Sequence, residues 1–481
     1  MSESLNTKVK SATKWSAIAE VFAKIITPVT SMVLARLLTP EAFGVVTTLT
    51  MIITFAEIFT DAGFQKYLVQ HEFNDDVDRE QSINVAFWSN LMMSMLLWGV
   101  IALFAEPLAT LVGNPGLGHV LIIACASIPL AAFSSIQMAL YRRNLDFKTL
   151  FKVRLASILV PLIVTIPLAL CLRSYWALVI GTIAQNVVNA VLLTVFSSWR
   201  PSRFYSFAKL HEMLSFTLWS LFEAISIWLT GYVDVFIVGT MLNQHYLGLY
   251  KTSSTVVGQI MGLITTATTP VLFSSLSRLQ NDETEFKRMF FRFQKFVGML
   301  VIPVGVGIFL YSDFITSVLL GGQWGEASEF IGLWGLTSAL TIILSHYSSE
   351  VYRSKGKPTL SVLAQWGHIV VLWPVVLWAV QYGFETLYIA RSLVRLEGIM
   401  VNLVIMYAVI KITPWQLLKN ISPSLIASVA MFFVALILRP LSGSLVWTCV
   451  SIVLCSIVYI IIIMLFPKER SILTQYIIKR K

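Results

Sequence analysis

LLTPEAFGVV (residues 37–46) and MLNQHYLGLY (residues 241–250) each join two long apolar stretches through a short polar turn. After each turn, an aromatic residue or a leucine and then a glycine open the next apolar stretch. The two segments lie 204 residues apart in the chain. This spacing predicts an internal repeat, in which two similar groups of membrane helices follow one another.

Apolar stretches that are long enough to cross a bilayer recur along almost the whole sequence. Of the 481 residues, 57% are hydrophobic and 12% are charged, and the mean hydropathy is +0.77. A helical span needs about 20 mostly apolar residues, and strands of a membrane barrel would instead alternate apolar and polar residues. The sequence therefore predicts an all-α polytopic membrane protein with fourteen spans. The predicted spans are 13–37, 43–64, 82–105, 119–140, 150–172, 175–197, 211–240, 247–275, 290–312, 326–350, 358–381, 384–410, 421–438 and 444–466.

The basic residues are distributed unevenly between the two sides of these spans. Of 35 Lys and Arg residues, 28 lie in connections or span ends on the side of the N-terminus, 4 in those on the opposite side and 3 deep within spans. Because cytoplasmic connections are enriched in Lys and Arg, both termini are predicted to be cytoplasmic. The net charge of +10 is then explained by topology, and nucleic acid is not an expected partner.

The repeat also predicts the domain organisation. A shift of 204 residues places spans 1–6 on spans 7–12 with the same direction across the membrane. We expect two parallel six-helix lobes around a central cavity, an N-lobe at 1–205 and a C-lobe at 206–411. Two accessory spans follow at 412–467, and a basic cytoplasmic tail occupies 468–481.

Charged side chains mark one face of several predicted spans. Charged residues inside a membrane commonly line a polar cavity, so these faces are expected to look onto a substrate pathway. Glu20 and Lys24 could alternatively neutralise each other and hold two helices together. The acids on these faces could bind a coupling proton or sodium ion, or orient the basic groups. They are Glu20 in span 1, Glu57 and Asp61 in span 2, and Glu223 and Asp234 in span 7.

Arg391 and Arg395 in span 12 are the other cations inside predicted spans. They could bind substrate, or Arg391 could extend toward the membrane surface and Arg395 could pair with a neighbouring helix. His346 and His368 are expected to be hydrogen-bonded structural residues. The four cysteines form no CxxC pair and no metal spacing, and they are interpreted as small buried hydrophobic residues.

Several segments together resemble the polysaccharide exporters of the multidrug/oligosaccharidyl-lipid/polysaccharide (MOP) superfamily, which are the Wzx-type and teichuronic-acid-type lipid-linked saccharide flippases. No single segment is diagnostic, but their order and spacing match through most of the chain. The segments are LARLLTPEAFGVV (34–46), DAGFQKYLVQ (61–70), YRRNLDFKTLFKVR (141–154), VDVFIVGTMLNQHYLGLY (233–250), TTPVLFSSLSRLQND (268–282), LLGGQWGEA (319–327) and SKGKP (354–358).

This resemblance implies a flippase in the bacterial inner membrane. The implied substrate is an undecaprenyl-pyrophosphate-linked oligosaccharide, moved to the outer leaflet for capsule, exopolysaccharide or O-antigen assembly. In related members, cations in the cavity bind the pyrophosphate. The resemblance assigns this role to Lys24 by its place in span 1, and Arg391 and Arg395 are further candidates. No cofactor is implied beyond a proton or sodium gradient. Membrane lipids and the polymerase and export machinery of the same pathway are the expected partners.

Two other functions are compatible with parts of the sequence. A cation-coupled multidrug exporter of the same superfamily would share the two-lobe architecture, but such exporters usually have twelve spans, and a cavity for cationic drugs favours acids without buried Lys and Arg. A membrane saccharide polymerase or ligase would need a sizeable outer loop with catalytic residues. The outer connections here are short and carry no catalytic motif, so an enzyme is not expected.

Overall fold

The computed structural model describes the backbone of residues 2–61, 63–357 and 359–471. Side chains are described for residues 11–60, 63–214, 221, 224–357 and 359–471. The described residues form helices and connections without a β-strand. Contacts divide the chain into two compact units, Met1–Gly248 and Leu249–Lys481.

The first unit contains eleven helices and the first turn of a twelfth. Its helices are α1 (Ser2–Leu37), α2 (Pro40–Asp61), α3 (Phe64–Gln70), α4 (Asp76–Leu103), α5 (Ala105–Leu111), α6 (Gly118–Cys125), α7 (Ser127–Arg143), α8 (Phe147–Val160), α9 (Ile166–Leu172), α10 (Trp176–Phe196), α11 (Phe207–Met241) and the start of α12 (Gln244–Arg278). A π-helical turn at Pro161–Thr165 joins α8 to α9, because Pro161 cannot donate the hydrogen bond of a regular helix.

Four pairs of helices form the main contacts of the first unit. α1 packs along α8, α4 along α7, and α10 along both α7 and α8. Aromatic and aliphatic side chains fill one core near the starts of α4 and α11, which includes Phe87, Ile136 and Met213. Residues of α2, α6 and α10 form a second core around Leu121 and Ile128.

The second unit continues from α12 through eight further helices. They are α13 (Glu283–Leu310), α14 (Ser312–Leu319), α15 (Ser328–Thr341), α16 (Tyr347–Ser354), α17 (Thr359–Ala379), α18 (Phe384–Ile410), α19 (Pro414–Leu438) and α20 (Leu445–Met464). α13 packs against α15 and α19, α17 against α18, and α19 against α20. Side chains at the starts of several helices cap free backbone N–H groups. At the start of α19, Thr413 and Gln416 do so reciprocally and form a capping box.

Fourteen helical segments in the described residues are long and apolar enough to cross a membrane. This confirms the predicted all-α polytopic class and the predicted number of spans. Helix ends differ from the prediction by several residues, because polar residues such as those of Asp76–Gln81 continue a helix beyond its apolar part. The predicted lobe limits at residues 205 and 411 were taken from the sequence repeat. The compact units instead divide after Gly248, so the limits at 205 and 411 stay a prediction.

The two repeat-related turns meet each other inside the first unit. α1 ends at Leu37 and α11 at Met241, and α2 begins at Pro40 and α12 at Gln244, each pair 204 residues apart. The side chains of Glu41 and His245, also 204 residues apart, approach to 2.6 Å. Sequence-equivalent positions therefore face each other, as expected for a local two-fold relation.

Two glycines allow this close approach of α2 and α12. A Cβ on Gly44 would lie 1.9 Å from the carbonyl oxygen of Gln244, and a Cβ on Gly248 would lie 1.8 Å from that of Pro40. Both distances are far below van der Waals contact, so only glycine fits at either position. This explains the glycine that both turns share.

Candidate functional site

Glu20 lies between two cations in the first unit. Its carboxylate is 4.0 Å from the Lys24 ammonium on the same helix and accepts a hydrogen bond of 3.0 Å from Arg154 on α8. The side chains are partly accessible, with 35% exposure for Lys24 and 50% for Arg154. Two positive charges beside one negative charge leave this region of α1 and α8 cationic.

A polar cavity opens next to this cluster. It has a volume of about 580 Å³ and lies among α1, α7, α8 and α10. Arg142 and Arg154 contribute guanidinium groups to its wall, and Gln185 and Asn189 contribute amides. Lys24 is not part of this wall, although Ala23 and Thr27 on either side of it are. Arginine matches the geometry of phosphate oxygens with paired N–H groups, so this cavity can bind an anionic phosphate group.

A second cavity of about 450 Å³, the amide-lined cavity, lies in the same unit. Glu57 from α2 and Lys66 from α3 line it, together with amide and hydroxyl side chains of α4, α7 and α10. α3 is anchored beside it because the Tyr67 hydroxyl donates a 2.9 Å hydrogen bond to Glu212 on α11. Burial and the neighbouring Glu212 carboxylate raise the pKa of Tyr67, which keeps the phenol protonated as a donor.

The remaining predicted acids have different settings. Asp234 is buried at 5% exposure, and its carboxylate accepts a 2.8 Å hydrogen bond from the backbone N–H of Val235. The side chains of Asp61 and Glu223 lie outside the described residues, so their predicted roles stay predictions. The structure thus brings Glu20 to Lys24 and places Glu57 on the wall of a cavity.

Arg391 and Arg395 form an aromatic cluster in the second unit. Both guanidinium groups lie over the Trp334 ring, at 5.0 and 4.0 Å from its centroid. Arg391 donates to the Tyr250 hydroxyl at 3.0 Å, and Arg395 donates to Ser338 at 2.7 Å. Cation–π contacts and hydrogen bonds therefore compensate for part of the cost of keeping two like charges one helical turn apart.

The histidines are hydrogen-bonded, as the sequence analysis expected. His346 approaches Thr269 at 3.3 Å, and His368 approaches the Glu397 carboxylate at 2.9 Å. The expectation that all four cysteines are buried is wrong for two of them. Cys125 and Cys455 are buried, but Cys171 and Cys449 lie on the outer surfaces of their helices, where an apolar side chain can face lipid.

Sequence reasoning missed the arginines of the first unit and the smaller residues of both cavities. Arg142 and Arg154 were counted only as cytoplasmic charges, because their sequence positions give no sign that Arg154 pairs with Glu20 of α1 or that both line a cavity. The glutamine and asparagines of α10 formed a visible stripe at helical spacing, Thr182, Gln185 and Asn189, which is also a common packing surface. No group of three or more His, Cys, Asp or Glu side chains within the described ranges is placed to hold a metal ion.

Fourteen apolar helices with charged residues and polar cavities among them define this chain as a polytopic helical membrane protein. It belongs to the polysaccharide biosynthesis protein family, whose model matches residues 33–329.

Two curated relatives are named for polysaccharide pathways. The succinoglycan biosynthesis transport protein ExoT of Rhizobium meliloti (strain 1021) is 24% identical over 357 residues, which cover 74% of this chain and 70% of the relative. The lipopolysaccharide biosynthesis protein WzxC of Escherichia coli (strain K12) is 22% identical over 366 residues, with 75% and 70% coverage.

Solved structures share the fold at low sequence identity. The inward closed conformation of the lipid II flippase MurJ superposes with a TM-score of 0.74 at 16% identity and covers 94% of this chain and 98% of MurJ. An inward-facing multidrug resistance MATE transporter of the MOP superfamily gives a TM-score of 0.62 at 14% identity, with 82% and 98% coverage. The chain therefore shares its fold with both of these structures.

Proposed function

We propose that this chain is a flippase of the bacterial inner membrane. It moves undecaprenyl-pyrophosphate-linked oligosaccharide repeat units from the cytoplasmic to the outer leaflet, for assembly of a capsule, an exopolysaccharide or an O-antigen. The observation that carries this proposal is the family match, supported by relatives that are named as transport and biosynthesis proteins for such polymers.

The cationic region of the first unit supports a role in binding the pyrophosphate. A diphosphate cannot cross hydrocarbon without a replacement for its water shell, and fixed cations supply one. Lys24 and Arg154, held together by Glu20, present two cations on neighbouring helices, and Arg142 adds a third at the adjacent cavity. The lipid tail can stay in the bilayer while the polar headgroup is moved.

We further propose that transport proceeds by alternating access and uses a proton or sodium gradient. Buried Asp234 and cavity-lining Glu57 are the described acids best placed to bind a coupling ion, because a carboxylate in a low-dielectric setting changes its affinity when its surroundings change. Arg391 and Arg395 are proposed as additional pyrophosphate ligands. The polymerase of the same pathway is the proposed downstream partner.

A multidrug exporter is the main competing function because it shares the architecture. The arginines on the wall of the first-unit cavity favour an anionic substrate over a cationic drug. A polymerase or ligase is disfavoured by the name of the succinoglycan relative, which describes a transport protein.

The proposal is tested in a strain that lacks the gene. We expect lipid-linked oligosaccharide to accumulate on the cytoplasmic leaflet, wild-type protein to restore export, and Lys24→Ala to fail. Lys152→Ala is a matched control, because Lys152 is an exposed lysine on α8 two residues from Arg154. Normal export in the deletion strain would contradict the proposed function, and full export with Lys24→Ala would contradict the site.

A further inference from the structure

The amide-lined cavity of the first unit has a wall chemistry different from that of the arginine-lined one. Six helices of the unit contribute to its wall, which is partly open. Its volume of about 450 Å³ lies in the range of roughly 300–1,000 Å³ that is usual for ligand pockets. Its polar lining residues include Thr54, Glu57, Lys66, Asn90, Asn186 and Asn189.

These residues suit a ligand that is polar but uncharged. Glu57 and Lys66 carry opposite formal charges, so the ionised groups of the wall add no net charge. Asparagine side chains both donate and accept hydrogen bonds, and serine and threonine hydroxyls do the same. A ring of such groups matches the hydroxyl-rich surface of a sugar, whereas a phosphate would be better matched by cations alone.

Asn90 provides an independent sign that a partner is missing. Its side chain is 0% exposed, and its Nδ2 donates to the Ser135 hydroxyl at 2.6 Å. That hydroxyl donates to the Ala132 carbonyl at 2.9 Å, so it accepts from Asn90, and the orientation of the amide is fixed. The Asn90 Oδ1 then has no hydrogen-bond partner among the described residues. A buried amide carbonyl without a donor is costly, and a rotation of the Asn90 side chain toward the cavity would let a ligand hydroxyl relieve that cost.

The two cavities of the unit are neighbours. Met138 and Asn189 line both of them, so a ligand that occupied both would pass these two side chains. The arginine-lined cavity suits the phosphate groups of a lipid-linked saccharide. The amide-lined cavity suits the sugar that is linked to those phosphates. Both lie toward the ends of α7 and α10 that are predicted to be cytoplasmic, where a newly made headgroup would enter.

We propose that the amide-lined cavity is a binding subsite for a sugar residue of the transported oligosaccharide, with Asn90 and Asn186 as hydrogen-bonding residues. This inference rests on the proposed function, because it assigns one part of the same substrate to one part of the chain. The subsite makes the affinity depend on the sugar as well as on the pyrophosphate.

The test compares two lipids on the purified full-length protein in detergent by native mass spectrometry. One is undecaprenyl pyrophosphate, and the other is the lipid-linked oligosaccharide that is extracted from the deletion strain. We expect wild-type protein to bind the sugar-bearing lipid about tenfold more tightly, as two or so net hydrogen bonds would give. Asn90→Leu and Asn186→Leu should each remove most of that difference and leave binding of undecaprenyl pyrophosphate within about twofold of wild type.

Gln137→Leu is the matched control for the loss of a buried amide. Gln137 is 2% exposed and its Oε1 also has no partner among the described residues, but it does not line the cavity. It should keep the preference for the sugar-bearing lipid. Equal binding of both lipids by wild type, or an unchanged preference in both asparagine variants, would overturn the sugar subsite and leave the proposed function intact. If neither lipid binds wild-type protein, the proposed function itself fails.

Discussion

The most informative single residue is Glu20, because its contacts distinguish between two roles for Lys24, a structural ion pair and a substrate-binding cation. In a purely structural pair, Glu20 and Lys24 would neutralise each other's charge within one helix. The structure instead gives the shorter contact to Arg154 on α8, at 3.0 Å against 4.0 Å for Lys24. The ammonium of Lys24 is thus held loosely and can interact with another anion.

Lys24→Ala is therefore expected to reduce transport strongly and stability little. The Lys24 and Glu20 side chains are 35% and 38% exposed, and ion pairs of this exposure contribute at most about 1 kcal/mol. Transport should fall more than about tenfold, which corresponds to about 1.4 kcal/mol of lost substrate stabilisation. Export in the deletion strain and the thermal unfolding midpoint of the purified variant are the two measurements.

Lys24→Arg should retain much of the transport because it retains the charge. A Lys24→Ala protein that unfolds several degrees earlier, and that loses export only in proportion to its amount in the membrane, would support the structural role of the pair instead.

Arg395 is expected to contribute to the stability of the second unit through its flat guanidinium group. Arg395→Lys retains the charge but loses the stacking on Trp334 and the fixed hydrogen-bond geometry toward Ser338. The unfolding free energy should fall by about 1 kcal/mol. Arg288→Lys is the control, because Arg288 is 71% exposed and pairs with Glu285 one helical turn away. Equal unfolding midpoints for the two variants would contradict the stacking contribution.

The site could be predicted from the sequence only in part. Charge in an apolar helix is visible in the sequence, so Lys24 and Arg395 stood out. The partner of Glu20 was not predictable, because the α1–α8 contact joins residues more than a hundred positions apart and Arg154 carries no local signal of its direction. The role of small polar residues such as Asn90 was not predictable either, because packing surfaces and binding surfaces use the same side chains.

At the scale of helices, the contact between the starts of α2 and α12 makes the clearest prediction. A methyl group on Gly44 or Gly248 would overlap a backbone carbonyl of the facing helix. Gly44→Ala and Gly248→Ala should each lower the unfolding free energy by about 1–3 kcal/mol, because backbone must move to make room. The measurement is thermal or denaturant unfolding of the purified protein in detergent.

Gly258→Ala in α12 is the control for this pair. A Cβ there meets nothing within 4 Å, so alanine should be neutral or stabilising through its higher helix propensity. Similar stabilities for all three variants would show that α2 and α12 do not approach as closely as described. The sequence predicted the repeat and its shared glycine, but not that the two copies contact each other, because a repeat does not specify which copies pack together.

At the scale of the whole molecule, fourteen spans and the class of fold were predictable because hydropathy over about 20 residues is a strong and local signal. The orientation in the membrane is the largest prediction that the fold leaves open. It follows from the uneven distribution of Lys and Arg along the chain.

Single cysteines in a background without native cysteines test this orientation. Pro115 and Arg203 are both exposed, and they lie in connections predicted to be outside and cytoplasmic, respectively. A membrane-impermeant maleimide should label Pro115→Cys in intact spheroplasts and Arg203→Cys only after permeabilisation. The opposite labelling pattern would reverse the proposed orientation and with it the cytoplasmic entry of substrate.

The central claim is that the chain moves a lipid-linked oligosaccharide across a bilayer. The most direct measurement uses liposomes that contain the purified protein and lipid-linked oligosaccharide from the deletion strain, treated from outside with a glycosidase that cannot cross the membrane. Wild-type protein should make nearly all of the lipid cleavable, with a proton or sodium gradient imposed where required, whereas vesicles with Lys24→Ala should release only the outer-leaflet share. If wild-type vesicles also protect the inner-leaflet share under every imposed gradient, the chain is not a flippase for this lipid.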